Sequence, residues 1–127
     1  FPGDASIQLA LSLIIDDGAV IYLNGTEIQR LGMPGGEITH TNFASRTVND
    51  AVIEGPFVLS GDTLLPGENT LAVQVHQVNA ISTDVVFGLA LTLRETSAGP
   101  YSPGAPSFGA LKLPAFPPVW INEVQPN

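Results

Sequence analysis

The chain has 127 residues, 44% of them hydrophobic, which suits one domain with a core and is too apolar for a disordered segment. Its 12 acidic against 4 basic residues leave a formal net charge of -8, which repels nucleic-acid phosphates and anionic membrane surfaces and argues against both as partners. The absence of cysteine removes disulfides, thiolate zinc sites and cysteine nucleophiles together.

No apolar run reaches the roughly 20 residues needed to span a bilayer, and no basic-then-apolar leader opens the chain. The opening Phe1-Pro2-Gly3 reads as the start of a mature segment belonging to something longer. Residues 7–15 alternate, with Ile7, Leu9, Leu11, Leu13 and Ile15 on one face and Gln8, Ala10 and Ser12 on the other, and this period of two predicts a strand. A helix would leave apolar residues around its whole circumference. Asp16-Asp17-Gly18 then reads as a hairpin turn, residues 19–23 as a second strand, and Asn24-Gly25 as a tight type I′ hairpin into a third strand over 26–31.

Gly32-Met33-Pro34-Gly35-Gly36 interrupts regular structure, and the polar stretch 37–54 has no sustained period, so the two together read as one long loop. Loops of that length in a compact domain are usually functional or held by a partner. Further strands are expected at 57–60, 70–78 and 85–93, the second with Leu71, Val73 and Val75 opposite Ala72, Gln74 and His76. Beyond Arg94 most of the 11 prolines gather among glycines and serines, which divides the chain into a β-sandwich module at 1–94 and an extended Pro-rich tail at 95–127. Six or so strands and no long helix predict an all-β fold, an antiparallel β-sandwich of jelly-roll type, with a partly open barrel as the second choice.

The run DDGAVIYLNGTEIQRLGMPGGEIT, followed by LLPGENTLAVQVHQVNAISTDVVFGLALTL, resembles a module of large secreted proteins of environmental bacteria that is similar to galactose-binding-like jelly rolls. The resemblance covers most of residues 4–93. The ending AFPPVWINEVQPN resembles the linker and opening strand of a lamin-tail domain. What the resemblance implies is a non-catalytic extracellular or cell-surface module that binds carbohydrate or mediates adhesion. The family's module starts several strands earlier, which leaves the expected sandwich short of a partner strand and its edges open to another chain or to the tail.

Asp16 and Asp17, with Asp84 in a later loop, are candidate ligands for Ca²⁺, which takes carboxylate oxygens; the alternative is turn chemistry in which Gly18 supplies positive φ. His40 and His76 are the two histidines, too few for a His-rich zinc site. Tyr22, Asn24, Gln74 and His76 are candidate sugar contacts, by ring stacking and hydrogen bonds to hydroxyls. Their plain alternatives are a cross-strand aromatic contact, a turn residue and a structural histidine. A triad of Ser82, His76 and Asp84 lacks a nucleophile elbow, and an enzyme is not expected. Asn24-Gly25-Thr26 also matches a glycosylation sequon.

In the tail, Phe116, Val119, Trp120, Ile121 and Val124 are apolar anchors, and 119–124 is strand-prone and free of proline, as strand addition to an open edge requires. Two functions follow: a glycan-binding or adhesion module, with calcium as the candidate ion, or a structural subunit that joins copies of itself into a filament or surface layer by donating its tail.

Overall fold

The computed structural model describes residues 7–95, and the tail beyond them lies outside the described residues. Among the described residues there are six strands and no helix: β1 (Ile7–Asp16), β2 (Gly18–Leu23), β3 (Thr26–Leu31), β4 (Ile53–Ser60), β5 (Leu71–His76) and β6 (Val86–Glu95). They form two three-stranded antiparallel sheets, ordered β4-β1-β6 and β3-β2-β5. The all-β sandwich expected from the alternating pattern is therefore present.

The two most apolar strands are the centres of the two sheets, so each is covered on both sides by hydrogen-bonded neighbours. Leu11, Leu13 and Ile15 of β1 face Ala19 and Ile21 of β2 across the sandwich, with Phe57, Leu59, Leu71, Val73, Leu89 and Leu91 packed around them. Alternate residues from the end of β1 and the start of β2 thus enter one core. Fully burying a side chain of this kind contributes about 1.5–3 kcal/mol.

One expectation is overturned. Asp16-Asp17-Gly18 is not a hairpin turn: β1 and β2 do not pair, and the chain crosses there from one sheet to the other. The same residues that suit a tight turn also suit a sharp change of layer, because both need short side chains with local hydrogen-bonding capacity. The Asn24-Gly25 hairpin is present, with φ of 52° and 79° and Leu23 paired to Thr26. β4 begins four residues earlier than expected, at Ile53, and runs through Pro56 on the sheet edge, where a missing N–H is tolerated.

The loop between β3 and β4 covers the second sheet from outside. Met33 and Ala44 are buried against Val20, flanked by Ile38 and Tyr22, and form a smaller core on the outer face of β2. Backbone bonds hold it there: Ala44 N–H donates to Gln77 O at 2.9 Å and Ser45 N–H to Gly32 O at 2.8 Å.

Candidate functional site

The crossing between sheets places Asp17, 1% exposed, beneath two loops. Its Oδ1 accepts the N–H of Val48 at 2.7 Å and its Oδ2 the N–H of Val78 at 2.7 Å. Its backbone carbonyl accepts Nε of Arg46 at 2.9 Å, and the Arg46 fork is bidentate to Glu54 at 2.9 and 2.5 Å. One carboxylate therefore ties the β3–β4 loop and the β5–β6 loop to the junction of both sheets. Burial pushes the Asp17 carboxyl up, but the two backbone N–H donors, the Asp16 side chain and the Arg46 charge outweigh it and hold it below the usual carboxylate range.

Asp16 is 3% exposed and has the opposite balance. Burial raises its pKa first, then a hydrogen bond to Asp17 and the negative charges of Asp17 and Asp84. Below the ordinary value of 3.8 the group is protonated whether the chain is folded or not, and it contributes nothing. As pH rises past that value the unfolded chain ionises first, so stability is lost until the folded group ionises too. Asp16→Asn is accordingly expected to raise the melting temperature by a few degrees at pH 7, with the gain vanishing at pH 3; an equal gain at both pH values would remove ionisation as the cause.

Above Asp17 the two loops enclose an open pocket of about 340 Å³ lined by Thr47, Asn49, Asn79, Ser82, Ile81 and Asp84 together with Val48 and Val78. The Gln77 amide closes the β5–β6 side, donating to the carbonyls of Ser82 at 3.3 Å and Asp84 at 2.8 Å. The polar part of the lining is hydroxyl, amide and carboxylate beside Val48, Val78 and Ile81, with the floor fixed by the doubly bonded Asp17. Such a surface exchanges hydrogen bonds with a polar, uncharged ligand at little cost in reorganisation.

The residues expected to contact sugar fall in three places. Tyr22 and Gln74 meet on the outer face of the second sheet, the Tyr22 hydroxyl donating to Gln74 Oε1 at 3.3 Å. Asn24 works within the fold: its Nδ2 donates to Thr63 O at 2.7 Å and Asn69 Oδ1 at 2.8 Å, and its Oδ1 accepts Thr70 N–H at 2.8 Å. Asn24→Ala is expected to destabilise by about 2 kcal/mol, since it removes these bonds and the residue that best tolerates positive φ; a urea-denaturation loss below about 0.5 kcal/mol would contradict that role.

His76 is buried at the end of β5, where its Nδ1 donates to the carbonyl of Asn42 at 2.7 Å while Nε2 has no partner among the described residues, so it holds the long loop. Of the candidate calcium ligands, Asp17 and Asp84 line one pocket and Asp16 lies close enough to feel Asp84. Both Asp17 oxygens are already engaged by N–H donors, and among the described residues no group of three or more His, Cys, Asp or Glu is arranged to hold a metal ion. Phe116, Val119, Trp120, Ile121 and Val124 lie outside the described residues.

Arg46, Thr47, Asn49 and Asn79 were not singled out by the sequence. They sit in aperiodic segments where no pattern marks them, although an arginine in a chain with 4 basic residues against 12 acidic ones is a signal that an acidic centre needs it. No family model matches the chain, and neither a curated protein nor a solved structure shows significant similarity to it.

Proposed function

We propose that the chain is a non-catalytic, extracellular β-sandwich module of the galactose-binding-like jelly-roll type, and that it binds carbohydrate for a larger secreted protein. One observation carries this reading: an open pocket whose polar groups are hydroxyls, amides and the carboxylate of Asp84, set on a floor that Asp17 fixes through two hydrogen bonds. Sugar hydroxyls are recognised by such groups, and Ile81, 86% exposed at the rim, offers an apolar surface for the C–H face of a pyranose. The strongly acidic balance of the chain suits a neutral glycan better than a polyanion.

A glycan array followed by calorimetry on the full chain, with and without calcium, tests this. Asn79→Ala and Asn49→Ala are each expected to weaken binding about tenfold, the equivalent of one lost hydrogen bond to a polar ligand. Loss of binding in Tyr22→Ala or Gln74→Ala instead would move the site to the outer face of the second sheet. No binding to any glycan at millimolar concentration would end the proposal.

A further inference from the structure

Four strands form the edges of the two sheets, and three of them are blunted. β4 carries Pro56 and a shift of register against β1 between Leu11 and Leu13. β3 is six residues long, shifts register against β2 between Ile21 and Tyr22, and bears the Glu27–Arg30 ion pair at 2.7 Å. β5 is equally short, and the long loop already bonds Gln77 immediately beyond its end. β6 differs from all three. It is ten residues long, pairs with β1 over its whole length without a shift, contains no proline, and has no charged residue before Arg94. Among the described residues no strand lies on its other side. Natural sheets seldom leave an edge of that kind open.

The side chains there are incomplete in the same sense. Phe87 and Leu93 point to the core side of the sheet, opposite Ile15 and Leu9, yet remain 38% and 50% exposed at β6, the last strand of that sheet among the described residues. Val85, in phase with them just before the strand, is 60% exposed.

We propose that this edge docks a second copy of the same chain: β6 pairs antiparallel with β6 about a two-fold axis at Leu89, joining two β4-β1-β6 sheets into one. In that register the core side brings Leu89 against Leu89, Phe87 against Leu91 and Val85 against Leu93. The outer side brings Gly88 against Ala90, Val86 against Thr92 and Asp84 against Arg94. Every apolar residue meets an apolar or small one except at Val86 and Thr92, a pair of β-branched side chains that strands favour. No like charges meet, and both ion pairs form at once because the interface is isologous.

The charge match is what selects a second copy over an arbitrary strand. Asp84 and Arg94 are both exposed, and neither is in an ion pair among the described residues. Asp84 stands close enough to the buried Asp16 to raise its pKa, so that end of β6 carries negative charge in excess, and Arg94 of the second copy is delivered to it. The proposal shares Asp84 with the pocket but does not require glycan binding, and its readout is mass rather than ligand.

Sedimentation equilibrium of the full chain from micromolar to millimolar concentration, at physiological ionic strength, tests it. A concentration-dependent dimer is expected. Arg94→Asp and Asp84→Arg should each weaken it about tenfold or more, because each single reversal replaces both ion pairs by like-charge contacts. The double reversal in one chain restores both pairs and should return the affinity to within about threefold. Leu93→Lys should leave only monomer, and Thr92→Lys, at an exposed position, serves the same purpose if Leu93→Lys does not fold. A monomer at all concentrations, a dimer indifferent to the single reversals, or single losses without rescue in the double reversal overturns the proposal. A monomer whose β6 amides are protected from exchange on both edges means that the chain's own residues beyond 95 cover the strand, and overturns it too.

Discussion

Asp17→Ala is expected to cost about 4 kcal/mol of folding stability, from two part-buried N–H groups left without their charged acceptor at about 1–3 kcal/mol each. Against the ~5–15 kcal/mol by which a domain is stable, that loss leaves the fold marginal. The two orphaned donors belong to Val48 and Val78, in different loops, so the damage is not confined to one segment. Asp17→Asn keeps one acceptor oxygen but turns an amide N–H toward the other donor, and should fall between the wild type and alanine. Urea denaturation gives the energies, and amide exchange at Val48 and Val78 should show protection collapsing at both positions together. A loss under about 1 kcal/mol, or exchange rising at one amide alone, would mean that the carboxylate is not the shared anchor.

The same residue sets an acid limb. Because its folded pKa is depressed, its ionisation stabilises the fold fully above the unfolded value of 3.8, and that contribution is lost as pH falls through the lower folded value. Asp16 works in the opposite sense over the interval above 3.8. Two adjacent carboxylates thus shift stability in opposite directions on either side of one pH, and the Asp17→Ala variant should lack the lower limb.

Much of this fold was legible in the sequence, for a physical reason that also explains what was not. The alternation in β1, β2, β5 and β6 is imposed by burial of one face, and the Asn24-Gly25 turn by the need for positive φ, so both are written in neighbouring residues. Asp16-Asp17-Gly18 looks like a hairpin turn in sequence because turn chemistry is local, while the choice between turning back and crossing to another sheet is made by distant partners. Asp17 meets its donors 31 and 61 residues away. The start of β4 was missed because Val52 and Ile53 are exposed and Pro56 breaks the strand pattern. The second core is irregular by construction: Met33, Ile38 and Ala44 pack on Val20 from a loop without period, and nothing in their spacing announces it. Tyr22, a candidate sugar contact, also packs against that cluster. The pocket shares this property, since its lining comes from two loops that long-range bonds, those of Asp17 and Gln77 among them, bring into order.

Gly18→Ala should cost about 3 kcal/mol, although it adds a single methyl group at the second sheet's first position. A Cβ there would lie 2.6 Å from the carbonyl oxygen of Gly32, 2.8 Å from Sδ of Met33 and 3.0 Å from Cβ of Ala44. The methionine can swing away, being the flexible end of a side chain. The Gly32 carbonyl cannot, because it accepts the Ser45 N–H at 2.8 Å and closes the base of the long loop. Relief therefore requires the loop to lift from β2, which exposes Val20 and breaks the Ala44-to-Gln77 bond. Amide exchange at Ala44 and Ser45 should accelerate while the amides of β1 stay protected, which separates loss of the outer cover from loss of the sandwich. A melting temperature within a degree of the wild type would show that the loop accommodates the methyl and that close approach is not why glycine stands there. Since Asp17 holds the far end of the same loop through Val48, the combined Asp17→Ala, Gly18→Ala chain should lose less than the sum of the two single effects. Once either contact has let the loop lift, the other has less left to hold.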